Sequence, residues 1–206
     1  MGGWIYYSLL KFQDKLDEAE PYYRESLDGR RRVLGEDHPE TLISLHNLGS
    51  LRLAQADTAE AEGCYREALA GRRQALGGAH PSTLNTIAAL GSLLDATGRP
   101  DEAARLLAGA EDDARTTLTG PRTSRFARLL AILGGARTRQ GDYAAAEGNL
   151  LEAEALYAGE TEPSARALRE VTAALVALYA AWDEAEPGAG NLEARRTWQE
   201  RLDGMP

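Results

Sequence analysis

Three histidines and one cysteine stand among the 206 residues, and they are the first candidates for metal binding or nucleophilic attack. His38 and His80 are the metal suspects. A zinc site needs three or four ligands converging on one point. On stacked helices these two would stand roughly 10 Å apart, and no cysteine or third histidine joins them. The other reading is that each His-Pro pair shapes the chain as it enters a helix. Cys64 would need a base close by to act as a nucleophile. Its place beside Tyr65, flanked by apolar positions, reads as a small buried hydrophobe. The acidic clusters Asp14-Asp17-Glu18-Glu20 and Glu111-Asp112-Asp113 hold enough carboxylates for acid–base work. They fall near helix ends or on solvent faces, however, and Glu20–Arg24 and Glu62–Arg66 have the spacing of surface ion pairs. No phosphate-cradling loop, metalloprotease pair or nucleophile elbow is present. The chain is therefore expected not to be an enzyme and to use no cofactor or metal.

Arginines recur in register. Arg30-Arg31-Arg32 is followed 42 residues later by Arg72-Arg73, and Arg115 continues the row. Two readings are open. An arginine ladder grips carboxylates or phosphates of a partner, because the guanidinium fork binds them bidentately; Arg30, Arg31, Arg72 and Arg73 are the candidates. Alternatively the row compensates helix C-terminal ends.

The elements that position these residues repeat. Residues 19–51 and 61–93 share 19 of 33 positions at an offset of 42. Self-similarity at such a period signals stacked repeats. Leu42, Leu45, Leu48 and Leu51 recur at helical spacing after Pro39, with Asp37 and Glu40 at capping-box spacing. A second helix begins near Thr58, carries Ala61, Tyr65, Ala68, Leu69 and Leu76, and stops at Gly77-Gly78. A Leu-Gly pair marks the frame at Leu48-Gly49, Leu90-Gly91 and Leu133-Gly134, with Leu175-Val176 as a degenerate form. The expected organisation is one solenoid over 1–206, with units near 4–36, 37–78, 79–120 and 121–160 and a capping unit at 163–203. The first unit has only the latter half of its opening helix, Trp4 to Phe12. In the last, Leu192, Trp198 and Leu202 are expected to pack inward, after a flexible loop from Glu184 to Gly190.

This frame resembles the tetratricopeptide repeat (TPR). The family's Leu-Gly, inter-helix Gly, Ala and aromatic positions match Leu48-Gly49 with Ala61 and Tyr65, then Leu90-Gly91, Gly98 and Ala103, then Leu133-Gly134, Gly141 and Ala146. The 42-residue length and the motif LG-x-x-HP-x-TL at Leu34 to Leu42 and Leu76 to Leu84 are similar to the kinesin-light-chain type. The third joint, Thr119 to Arg125, lacks His-Pro. The ending LVALYAAW looks like the last repeat of arrays behind bacterial serine/threonine kinases. The resemblance implies an all-α, right-handed superhelical solenoid of antiparallel helix pairs, with a concave groove that holds a partner peptide or helix. By that alignment the groove is lined by His46, Asn47, Ser50, Asn85, Ser92, Asp95, Arg128, Thr138 and Arg139. A groove asparagine of the family matches Asn47, while Ala89 and Ile132 stand at the next two equivalents.

Charge narrows the partners. A net charge of −9 disfavours nucleic acid and an anionic membrane surface. The apolar stretch Val171 to Trp182 is short of the about 20 residues a bilayer span needs. One cysteine gives no disulfide framework, and the N-terminus has no basic region ahead of its apolar part. A cytoplasmic, bacterial protein that binds a protein or peptide is the expectation. Two other readings accompany it: a C-terminal regulatory or docking segment of a larger bacterial signalling protein, and a homodimer formed through Trp4, Ile5, Tyr6 and Leu9 of the N-terminal half-repeat.

Overall fold

The computed structural model describes residues 15–188 and 190–205. The half-helix expected at Trp4 to Phe12, and with it the dimer patch, lies outside the described residues. Among the described residues ten α-helices follow in order: α1 (Leu16–Leu34), α2 (Pro39–Ala54), α3 (Thr58–Leu76), α4 (Pro81–Ala96), α5 (Pro100–Ala108), α6 (Glu111–Thr117), α7 (Thr123–Gln140), α8 (Tyr143–Ala158), α9 (Ala165–Ala185) and α10 (Asn191–Asp203). A 3₁₀ turn, Gly120–Arg122, precedes α7. The described residues contain no strand. None of their helices is long and apolar enough to cross a membrane.

The chain divides into two compact units, with the boundary between Leu93 and Leu94 inside α4. In the first unit α2 packs on both α1 and α3. Leu45, Leu48 and Leu51 of α2 are buried against Ala19 and Leu27 of α1 and Cys64 and Ala68 of α3. In the second unit α8 packs between α7 and α9, α10 packs on α9, and α5 on α7. There Phe126, Leu129, Leu130, Leu133, Leu150, Leu175 and Leu178 are buried. The apolar stripe of each helix is satisfied only by a neighbouring helix, which is why the repeats are obligate neighbours.

The Leu-Gly pair has a steric cause. A Cβ built on Gly134 would lie 2.6 Å from Leu150 Cγ and 3.2 Å from the Ala146 carbonyl oxygen. One on Gly49 would lie 3.0 Å from both Cys64 Cβ and the Tyr65 ring. The backbone of each first helix is bare where the second helix crosses it, and the leucine before it fills the core.

The turn between paired helices uses a left-handed residue: Gly98 (φ 79°), Gly141 (φ 80°) and, at the equivalent position of the earlier repeat, Ala56 (φ 63°). Glycine adopts this conformation without penalty, whereas an L side chain crowds the following carbonyl. The second helix of the α4 pair is interrupted, α5 ending at Ala108 and α6 starting at Glu111. At the C-terminal end the sequence expectation is corrected. Leu192 is 62% exposed, and the buried residue of α10 is its neighbour Asn191. Leu192 lies in the first turn of α10, one position off the face that Trp198 and Leu202 turn partly inward.

Gly134→Ala is expected to lower stability by about 2 kcal/mol, because the added methyl must displace Leu150 against a carbonyl it cannot move. Ala56→Gly is expected to raise stability by roughly 0.5 kcal/mol, relief of left-handed crowding exceeding the entropy glycine adds to the unfolded chain. Chemical denaturation followed by circular dichroism checks both.

Candidate functional site

The residues that looked most chemical in the sequence build the joints between repeats. After α1 and after α3 the chain turns at Gly35 (φ 92°) and Gly77 (φ 87°). Thr41 Oγ1 donates to the Gly35 carbonyl and Thr83 Oγ1 to the Gly77 carbonyl, both at 2.8 Å. His38 takes the extended conformation imposed by the following proline. Its Nδ1 accepts the Glu40 N–H at 3.2 Å, and His80 Nδ1 accepts the Ser82 N–H at 3.1 Å. The two histidines are helix caps, and the described residues hold no cluster of three or more metal-ligating side chains. His38, not Asp37, caps α2, because the imidazole reaches the second residue ahead once Pro39 occupies the first turn.

The arginine row closes the same joints. Arg30 donates to the Glu40 carbonyl at 3.1 Å and to Ser44 Oγ at 2.6 Å, and pairs with the Glu40 carboxylate at 3.1 Å. Forty-two residues on, Arg72 donates to the Ser82 carbonyl at 2.9 Å, to Thr86 Oγ1, and to the Leu42 carbonyl at 3.3 Å. Arg72 is 4% exposed, and burial pushes its guanidinium down to about 10. It remains a cation at neutral pH, held by neutral oxygens. This corrects the reading of Arg72 as a contact for an anionic partner: no ligand reaches it. Arg31 is occupied by Glu36 at 2.8 Å and Glu67 at 2.6 Å. Arg73 is exposed in the last turn of α3. Arg115 turns instead to Glu152 and Glu111 and lies over the Phe126 ring. The residue before it, Ala114, is buried where Arg30 and Arg72 stand in the earlier joints.

The polar positions of the first helices fall within both units. In the first unit His46, Asn47 and Ser50 of α2 and Asn85 and Ser92 of α4 are all half-buried. His46 and Asn85 meet: the Asn85 amide nitrogen is 3.3 Å from His46 Nε2. An amide nitrogen only donates, so Nε2 is the acceptor and the neutral ring carries its proton on Nδ1, facing Thr86 Oγ1 at 3.4 Å. The same ring lies 5.2 Å from Tyr65, whose hydroxyl is 3.0 Å from Ser50 Oγ. In the second unit Asp95 pairs with Arg139, Thr138 donates to the Gly134 carbonyl of its own helix at 2.9 Å, and Arg128 is exposed. Ser92 and Asn47 make no side-chain hydrogen bond among the described residues.

The remaining chemical candidates are quiet. Cys64 is buried, and burial together with Glu60 and Glu67 pushes its thiol up, so at neutral pH it is protonated. Glu20 pairs with Arg24 and Arg52, Glu62 with Arg66, and Glu111 with Arg115. One cluster gave no signal in the sequence. The Tyr143 and Trp182 rings stack at 5.7 Å, and Tyr179 lies parallel to Trp182 at 6.4 Å. Tyr179 donates to Glu147 at 2.5 Å; burial and that carboxylate push its hydroxyl up to about 12.

Comparison with known proteins agrees with this geometry. The family described as Tetratricopeptide repeat matches residues 8–74 and 53–115, together more than half of the chain. No curated protein matches in sequence. A putative kinesin light chain with nearly identical TPR-like repeats from Podosopora anserina superposes with a TM-score of 0.73 at 23% identity, covering 96% of this chain and 93% of that one. A point variant of it gives 0.74 at 22%, covering 96% and 92%. BtubC (BKLC) from P. vanneervenii gives 0.75 at 18%, covering 97% and 79%. At these identities the likeness establishes the fold: an all-α solenoid of the TPR type, like that of kinesin light chains.

Arg72→Ala is expected to cost about 3 kcal/mol, from a cavity plus three oxygens left without their donor. Arg73→Ala, one residue on and exposed, is expected to stay within about 0.5 kcal/mol. Equal losses in urea titrations of the two variants would contradict the joint.

Proposed function

Because the chain belongs to the tetratricopeptide-repeat family, whose repeats generally serve as protein–protein interaction scaffolds, we propose that it is a non-catalytic scaffold holding a partner peptide or helix against its first helices. The observation that carries this reading is the contrast between the two sides of α2. Leu42, Leu45, Leu48 and Leu51 are buried, while His46, Asn47 and Ser50 are polar and half-buried. Packing alone does not ask for an amide at Asn47, since Ala89 and Ile132 stand at the equivalent places of later repeats. An asparagine side chain offers both a donor and an acceptor, the pair an extended backbone presents. Asn85, engaged through its nitrogen with His46, keeps its oxygen as an acceptor. In the second unit Arg128 offers a charged donor fork.

The proposed contact positions are His46, Asn47, Ser50, Asn85 and Ser92 in the first unit and, taken by themselves, Asp95, Arg128, Thr138 and Arg139 in the second. Of the four arginines considered for anionic partners, Arg73 keeps that role in the proposal. The partner is a protein, bound without cofactor.

The test is affinity capture from a lysate with the wild-type chain beside a variant carrying Asn47→Ala, Asn85→Ala and Arg128→Ala, its helicity verified by circular dichroism. A partner retained by the wild type and lost by the variant is the expected result. A partner held equally by both would remove these positions from the site.

A further inference from the structure

The second unit twice repeats one constellation: an aromatic ring, a carboxylate beside it, and an arginine stacked on the ring and paired with the carboxylate. Arg115 lies 5.0 Å over the Phe126 ring and pairs with Glu152. Arg201 lies 5.0 Å over the Trp198 ring and pairs with Glu154. A guanidinium is flat, weakly hydrated and forked, so one side chain satisfies the ring face and the carboxylate at once.

A third constellation has the rings and the carboxylates without the cation. Trp182 is stacked on Tyr143 at 5.7 Å with an interplanar angle of 20°, and is nearly parallel to Tyr179 at 6.4 Å and 4°. Tyr143 and Trp182 are both partly exposed. Two carboxylates border the row, each tied to a ring through one oxygen only. Glu147 Oε1 accepts the Tyr179 hydroxyl at 2.5 Å, and Glu186 Oε2 accepts the Trp182 indole N–H at 3.3 Å. The other oxygen of each makes no hydrogen bond or ion pair among the described residues. Asp142, Asp183 and Glu184 flank the same rings in sequence, and no Lys or Arg occurs in 140–165 or 170–194. Among the described residues no cation lies over Tyr143, Tyr179 or Trp182.

We propose that the partly exposed rings of Tyr143 and Trp182, backed by the buried Tyr179 and bordered by Glu147 and Glu186, form a docking surface for an arginine side chain of a partner polypeptide. The guanidinium lies on the exposed aromatic surface and its N–H fork reaches the unengaged carboxylate oxygens, supplying from outside what Arg115 and Arg201 supply within the chain. Charge complementarity selects the occupant. An acidic peptide is repelled by five carboxylates, and an apolar segment leaves them unpaired. A lysine brings charge without a flat face to stack and is the weaker ligand. This surface shares no residue with the first-helix positions proposed above, so either can fail while the other stands.

The probe is a blocked peptide, acetyl-Gly-Arg-Gly-Arg-Gly-amide, titrated into the full chain labelled with ¹⁵N. The readout is the indole N–H resonance of Trp182, assigned by its loss in Trp182→Phe. The expected result is a saturable shift of that resonance, at least threefold tighter than with the matched lysine peptide and weakened at least fivefold in the Glu147→Gln, Glu186→Gln double variant. Both substitutions are isosteric and leave the rings in place. Trp182→Phe, followed through the shifts of neighbouring amides, keeps the stack and should retain weakened binding. An unmoved indole resonance with both peptides overturns the proposal. So does equal affinity for arginine and lysine peptides, or binding unchanged in the double variant, since either would reduce the effect to diffuse attraction towards an acidic chain.

Discussion

The close approach of paired helices at Gly49 and Gly134 is the constraint from which the rest of this architecture follows. With a Cβ at either position, contacts of 2.6 to 3.0 Å would force the crossing helix away. With a bare backbone, Leu150 seats directly on one first helix and Tyr65 and Cys64 on another. That fixes the separation of the pair, and the separation fixes which leucines reach the core. Leu48 and Leu133, each preceding its glycine, are at most 3% exposed. Tyr65 shows how closely packing and surface are coupled. Its ring occupies the space a side chain at position 49 would take, and its hydroxyl reaches Ser50 on the polar side of the same helix. The core contact thereby positions a residue of the candidate binding face.

Between one pair and the next the chain uses a different device, and it spends the chain's most reactive-looking residues. A glycine in a conformation closed to other residues ends the second helix, a threonine ties back to its carbonyl, a histidine caps the next helix, and an arginine crosses the joint. Arg30 and Arg72 make the same bonds 42 residues apart, but not at the same depth. Both donate to the carbonyl of the equivalent residue, Glu40 or Ser82, but Arg30 also keeps the Glu40 carboxylate, for which Ser82 has no counterpart. The more buried cation therefore has only neutral partners, which is why burial is the dominant influence on it. At the third joint only the glycine and its threonine tie remain, Thr123 donating to the carbonyl of Gly120 (φ 57°) at 2.8 Å. Ala114 replaces the arginine, the His-Pro is missing, and a 3₁₀ turn brings the chain into α7.

How much of this was legible in the sequence depended on whether the signal was periodic. The helices, their leucine stripes and the Leu-Gly frame were read from spacing alone, because each helix must bury the same face in every repeat. The role of His-Pro as a helix entry was legible for the same reason, although the identity of the cap was not: Asp37 has the better capping side chain, and only the backbone geometry ahead of Pro39 gives the place to His38. Arg72 was misread because an arginine pair at a helix end looks like surface, and nothing local reveals that Thr86 and Leu42 converge on it from two other helices. Leu192 was misplaced by one position on a short polar helix with few apolar residues to fix its phase. The aromatic row was invisible, since Tyr143, Tyr179 and Trp182 belong to two helices and no periodic pattern joins them.

Periodicity that constrains packing also frees whatever packing does not touch. At one first-helix position the successive repeats carry Ile43, Asn85 and Arg128; at another, Asn47, Ala89 and Ile132; at a third, Leu53, Asp95 and Thr138. The neighbouring leucines and glycines hardly change over the same interval. A face that varies in charge and polarity on an invariant frame is what a scaffold needs to distinguish partners, because each repeat presents a different donor, acceptor or apolar contact at a fixed spacing. The second unit extends the same logic to ionic contacts. Its arginines at 115, 139 and 201 are committed to carboxylates within the unit, while Glu147 and Glu186 stand beside the aromatic row bonded, among the described residues, only to Tyr179 and Trp182. Internal pairing thus decides where the surface stays unbalanced, and an unbalanced surface beside a rigid aromatic stack discriminates between cations by shape as well as by sign.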